Sequence, residues 1–224
     1  MRRLLFLLTF GLMGAGILIS LGVWQVQRLA WKQDLLARID AQITANPTSL
    51  DQATQPAFQR YAPVEATGTF GADHIRMLAS RKTTGAVYRI IRPFEVVGFG
   101  PVLVDTGWVP DGVQVSAVPQ ERLTLVGNLD APNEADGFTP DPDLQKNLWF
   151  ARDVPAMAET LDTQPILIVL RDATEFDLGV TPWPVDTAGI PNDHLQYAIT
   201  WFSLAAIWVL MTAYFVLRTN RSPR

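Results

Sequence analysis

"RLTLVGNL", residues 122–129, sets Leu123, Leu125, Gly127 and Leu129 against polar or smaller neighbours. Side chains alternate across a strand, so a period of two predicts a strand with one face turned to a core. The same texture extends in both directions, starting at Tyr61. "HIRMLAS" (74–80), "AVYRII" (86–91), "PVLVDTGWV" (101–109) and "PILIVLR" (165–171) are short runs rich in Val, Ile and Leu, bounded by Gly, Pro or Asp. Such runs signal strands. "VDTGWVP" reads as a strand entering a turn, with Trp108 packed in the core. One helix is expected at "DVPAMAETL", with Asp153 as its N-cap. "DAPNEADGFTPDPD" (130–143) reads as a loop, its Asp130, Glu134, Asp136, Asp141 and Asp143 solvated, because the spacing of a calcium loop is absent. Residues 61–190 therefore predict a β-rich domain, an antiparallel sheet or barrel-like, with a small helical part.

Apolar runs lie on both sides of this domain. Leu4 to Trp24 is 21 residues without a charge, and Leu195 to Leu217 is 23. Each reaches roughly 30 Å as a helix, enough to cross the hydrocarbon core. The first has a longer apolar core than a cleaved signal peptide and no small-residue cleavage site after it, so residues 1–24 read as an uncleaved signal anchor. Beyond it Trp24, Arg28, Trp31, Leu35 and Ile39 recur at helical spacing. An amphipathic stalk is expected there, and Pro47 and Pro56 in "ANPTSLDQATQP" turn its end into a linker; stalk and linker occupy residues 25–60. The fold class is thus an α+β membrane protein, two transmembrane helices flanking a β-rich domain on the trans side.

Charge orients the chain. Arg2 and Arg3 precede the first span, and Arg218, Arg221 and Arg224 lie in the tail, residues 218–224, after the second. Residues 25–194 hold the other 13 basic residues and all 22 acidic ones, a balance of −9. Basic flanks mark the cytoplasmic side, so both termini are expected inside and the domain outside. The acidic balance excludes nucleic acid as a natural partner. Without cysteine there is no disulfide, thiolate metal site or thiol redox chemistry. No Arg- and Ser-rich leader precedes the anchor, which points to a bacterial inner membrane, with lipid as an obligate neighbour.

Enzyme signatures are missing: there is no G-x-S-x-G, P-loop, H-E-x-x-H or G-x-G-x-x-G. Two histidines remain. His74 reads as a structural histidine in a strand-like run. His194 differs because of where it falls. Ala198, Ala205 and Thr212 repeat at a heptad on the second span, and Gly11, Ala15, Leu18 and Gly22 make a mostly small face on the first. Small faces let membrane helices approach closely. His194, one turn before Ala198, sits on that face, level with Trp24. It reads either as an interfacial ligand or, with Asn192 and Asp193, as part of a helix cap. Trp24 and Trp31 read first as interfacial anchors.

The two-span layout, "WQVQRLAWK" (24–32), "VLVDTGWVP" (102–110), "NLWFARDVPAMA" (147–158) and "NDHLQYAITWF" (192–202) together resemble the Surfeit-locus (Shy) family of cytochrome c oxidase assembly proteins. That resemblance implies a non-enzymatic assembly factor that binds or hands over haem a to the catalytic subunit of a haem–copper oxidase. The enzymes of haem a synthesis are further candidate partners. It implies haem binding by His194, with Trp24, Trp31, Tyr197 and Trp201 as candidate pocket or interfacial residues and no metal other than the haem iron. The alternative is a membrane-anchored scaffold that stabilises an oxidase intermediate without binding haem. One departure is visible: Thr106 stands where the family usually has an arginine.

Overall fold

A computed structural model describes residues 2–55, 57–171 and 177–221. Arg221 and Arg224 of the basic tail, as side chains, and Pro56 of the linker lie outside what is described. The chain divides into two compact units, residues 1–38 with 187–224, and residues 39–186.

In the first unit, helix α1 runs unbroken over Arg2–Ile43, so the span and the expected stalk are one helix. Helix α4 covers His194–Arg221. Both are long and apolar enough to cross a membrane. They pack through the small faces: Ala15, Ala198 and Ala205 are buried, and Trp208 Nε1 donates to the Gly11 carbonyl at 3.0 Å. A Cβ at Gly11 would overlap Thr212, whose own Cβ would lie 3.0 Å away, whereas at Gly22 it would meet only the tip of the Phe202 ring. The Phe202 side chain is partly exposed and can swing aside. Gly11→Leu should therefore force the helices apart and cost about 1–3 kcal/mol, seen as a lower melting temperature in detergent, with Gly22→Leu costing less. Equal effects would show that Thr212 does not set the approach.

The second unit contains strands β1 (Thr48–Ser49), β2 (Pro63–Phe70), β3 (Ile75–Arg81), β4 (Gly85–Val96), β5 (Gly100–Pro110), β6 (Leu123–Asp130) and β7 (Gln164–Leu170), with helices α2 (Leu50–Thr54) and α3 (Val154–Leu161). The sheet order is β1-β2-β6-β7-β5-β4-β3, and a further β2–β4 pairing closes β2, β6, β7, β5 and β4 into a ring. This is the barrel-like domain the alternation predicts. Two pairings, β1–β2 and β5–β7, are parallel rather than antiparallel. A parallel pair needs a long crossover, which β6, the 131–153 segment and α3 supply.

Closure explains the unbroken apolar runs. Val102, Val104, Ile168 and Leu170 face one core with Phe94 and Leu125. Their neighbours Leu103, Leu167 and Val169 face a second, with Met77, Trp149 and Met157 of α3. Strands buried on both faces lose the alternating pattern. Helix α3 starts as expected, the Asp153 carboxylate accepting from the Ala156 N–H at 3.2 Å.

Three expectations are corrected. The proline-flanked stretch read as a linker folds: Thr48 and Ser49 pair with Val64 and Glu65, and Leu50 and Ala53 of α2 are buried in the core. Trp108 is only partly buried, its ring carrying the Arg81 guanidinium at 4.6 Å. Asp130, at the end of β6, is not a solvated loop acid but a buried partner of Arg60 and Arg152, whereas Glu134 stays exposed while it pairs with Arg152. At the end of α1, Arg171 donates to the carbonyls of Ile43 and Ala45 and to Asn128 Oδ1 at 3.0 Å. A cation there complements the helix C-terminus.

Candidate functional site

In the helical unit, His194 is the first residue of α4. Its Nδ1 lies 2.8 Å from Gln25 Oε1 on α1. An amide oxygen only accepts, so this contact calls for the proton on Nδ1. Gln25 is 8% exposed, held between the helices at the end of the first apolar run. The capping alternative fails for Asn192, whose Oδ1 has no hydrogen-bond partner.

Trp24, Trp31 and Tyr197 are about half exposed, and Trp201 is partly exposed. Trp31 carries the Arg28 guanidinium at 3.8 Å on its own helix, an arrangement suited to a headgroup region. Tyr197 and Trp201 follow His194 at steps of three and four, along the same side of α4. Histidine and tryptophans thus share one end of the helix pair, but the polar contact to His194 comes from Gln25, which the motif reading passed over. A signal was present: Gln25 extends the Gly11, Ala15, Leu18, Gly22 series by another step of three.

The barrel unit holds a different constellation. Arg152 lies between Glu134, Asp130 and Asp105: Nε is 3.0 Å from Glu134 Oε1, Nη1 is 3.3 Å from Asp130 Oδ2 and 4.0 Å from Asp105 Oδ2. Arg89 Nε donates to Asp105 at 2.6 Å, and Arg60 Nε to Asp130 at 2.8 Å. Trp183 stacks under Arg89 at 4.5 Å. Arg60, Arg89, Asp130, Glu134, Arg152 and Trp183 line a cavity of about 470 Å³, with Asp105 behind its wall paired to Arg89. Three guanidinia pair with three carboxylates, and a fourth carboxylate, Asp186, also lines the cavity. Burial pushes the Asp105 carboxyl up, against Arg89 and Arg152. Burial would also raise Glu134, but the Arg152 hydrogen bonds and charge outweigh it and hold Glu134 below the usual carboxylate range.

The motif Asp105-Thr106-Gly107 carries the Arg89 partner Asp105. Register shifts between Ile90 and Ile91, leaving Thr106 as the extra residue of a bulge. Thr106 is fully buried and donates to the Ile90 carbonyl at 2.9 Å. Thr106 thus satisfies a backbone acceptor inside the bulge. Among the described residues there is no cluster of three or more metal-ligating side chains.

Two helices long and apolar enough to cross a bilayer flank a closed β domain along the chain, the layout of a two-span membrane protein. The SURF1 family model matches residues 12–206, and the chain belongs to the SURF1 family. It is 30% identical over 218 residues to a SURF1-like protein of Monosiga brevicollis, covering 86% of this chain and 80% of that one. A SURF1-like protein of Rickettsia felis is 28% identical over 215 residues, with 91% and 93% covered. Surfeit locus protein 1 of Homo sapiens is 29% identical over 217 residues, with 84% and 70% covered.

Proposed function

We propose that this protein is an assembly factor for a haem–copper oxidase that holds haem a through His194 and hands it to the catalytic subunit. The family is the first support. The second is the Gln25–His194 hydrogen bond, which orients the ring through Nδ1 and leaves Nε2 outside that contact. A neutral imidazole oriented through its other nitrogen is the form that binds iron. Bound there, haem a would be cargo whose redox chemistry belongs to the oxidase. The residues of this chain bind and orient: His194 through Nε2, Gln25 through Nδ1–H, and the aromatic Trp24, Trp31, Tyr197 and Trp201 as apolar surface at the lip of the spans. No catalytic step is assigned to the chain. Its partners in this reading are the oxidase catalytic subunit, the enzymes that make haem a, and lipid.

The visible spectrum of detergent-purified protein from cells that make haem a tests this. Wild type should show a Soret band, His194→Ala should lose it, and Gln25→Ala should weaken haem binding by about 10–100-fold. Asn192→Ala and Asp193→Ala should leave it in place. A folded, inserted His194→Ala protein with the wild-type spectrum would refute the ligand role. A wild type without haem that still supports oxidase assembly would establish the scaffold reading instead.

The same proposal places both termini in the cytoplasm and the β domain in the periplasm of a bacterial inner membrane, on the five tail arginines and the −9 middle segment. A reporter active only in the periplasm should work at Pro119 and be silent after Arg224. The reverse pattern overturns the orientation.

A further inference from the structure

The barrel unit has a second group of cations, and it is built unlike the first. Arg60, Arg89 and Arg152 each have a carboxylate within 4.0 Å. Arg92 is 2% exposed, yet its guanidinium bonds only to two backbone carbonyls, Ser116 at 2.8 Å and Ala72 at 3.4 Å. Its Nε has no partner. Arg76, on the neighbouring strand β3, has its guanidinium over the Tyr88 ring at 4.1 Å, and its Nε is likewise buried and unpartnered. Among the described residues neither arginine has a carboxylate partner. A cation without a carboxylate partner favours a bound counter-charge, and of the two arginines Arg76 is the one that lines a cavity.

His74 reports on both. Burial first, then the charges of Arg92 and Arg76, hold its imidazole below the ordinary value, with only Asp73 pulling the other way. Arg76 and His74 line a cavity of about 650 Å³ with Lys146, whose other walls include Tyr88, Val113 and Leu148. One acid, Asp111, stands in its wall. Asp111 accepts from the Gly112 N–H at 2.9 Å, and Asp143 pairs with Lys146 at 3.1 Å. Asn147, in a left-handed conformation, ties the site together by donating to the His74 carbonyl at 2.8 Å and accepting from the Arg76 N–H at 3.3 Å.

We propose that this cleft binds a small organic anion, a phosphate ester or carboxylate, with its anionic head at Arg76 and His74 and its apolar body against Tyr88, Val113 and Leu148. The site is independent of the His194 reading. Phosphate and carboxylate are the groups that a guanidinium fork recognises. The cavity is larger than an inorganic ion needs, and its aromatic and aliphatic walls fit a ring or short chain.

The chain contains only two histidines, so ring-labelled His74 is a resolved probe in the full-length protein in detergent. Phenyl phosphate and benzoate are added as probes of the two head groups, with inorganic phosphate as the head alone. At least one organic probe should shift the His74 resonance saturably and move its titration upward, while His194 stays put. Inorganic phosphate should bind more weakly. Arg76→Gln should weaken binding about tenfold or more, and Arg76→Lys less. Val113→Asp, at a partly exposed wall position that folding tolerates, should abolish it. No saturable shift with either organic probe, or unchanged affinity in Arg76→Gln and Val113→Asp, overturns the proposal. Equal binding of inorganic phosphate overturns the assignment of an organic ligand.

Discussion

Arg152→Met should destabilise the β domain by about 3 kcal/mol, measured by denaturant unfolding of the full-length protein. The arginine side chain is 14% exposed, and the carboxylates it faces at Asp105 and Asp130 are 0% and 5% exposed. Burial opposes the Arg152 charge, but Glu134, then Asp105 and Asp130, more than offset it and hold its pKa above the ordinary value. Methionine fills the volume but leaves the cluster one cation short, with the carboxylates still out of water. Arg152→Lys restores charge without the fork that spans Glu134 and Asp130, so it should recover part of the loss. Arg60→Met serves as the contrast. Its side chain is 46% exposed, and an exposed pair contributes about 1 kcal/mol or less. Similar losses from Arg60→Met and Arg152→Met would show that burial does not set the energetics of the cluster.

Gly107→Ala should be of comparable size, about 3 kcal/mol. Two causes combine. Gly107 has φ +131°, a conformation that side chains resist, and a Cβ there would overlap the Thr181 carbonyl oxygen. That oxygen accepts from the Trp108 N–H at 2.8 Å, and Thr181 returns the bond at 2.9 Å. The pair holds the segment that carries Trp183 over Arg89. Gly107→Ala should therefore also perturb tryptophan fluorescence and loosen the arginine cavity. Gly112 separates the two causes, since its φ is +79° but nothing lies within 4 Å of the Cβ position. Strain alone should cost Gly112→Ala about 1–2 kcal/mol. If both variants lose the same stability, the close approach to Thr181 carries no weight.

The candidate sites were legible to different degrees, for reasons of distance along the chain. His194 could be placed on a packing face because helical periodicity is local, and Gln25 lay on the continuation of the opposing face. The arginine cluster could not be assembled in this way. Arg60, Arg89, Asp105, Asp130 and Arg152 come from separate segments, and an aspartate in "DAPNEADGFTPDPD" looks the same in sequence whether it faces water or Arg152. The one hint was chemical: Arg89 and Arg92 sit inside an apolar strand run, where a charge is retained only with partners or a ligand.

Local pattern by itself determined the two apolar helices, the small faces on which they meet, five of the seven strands and the Asp153 cap. Each depends on residues within one or two turns or one strand of each other. Only the tertiary structure decided that the sheet closes through β2 and β4, that β7 inserts parallel to β5, and that a proline-flanked "linker" becomes part of the core. Strand order depends on pairings between segments tens of residues apart, whose register is selected by which faces can be buried together. The same long-range burial settles charge: it pairs Arg152 with three carboxylates and leaves Arg92 with none, although in sequence both are arginines in strand or loop contexts of similar composition.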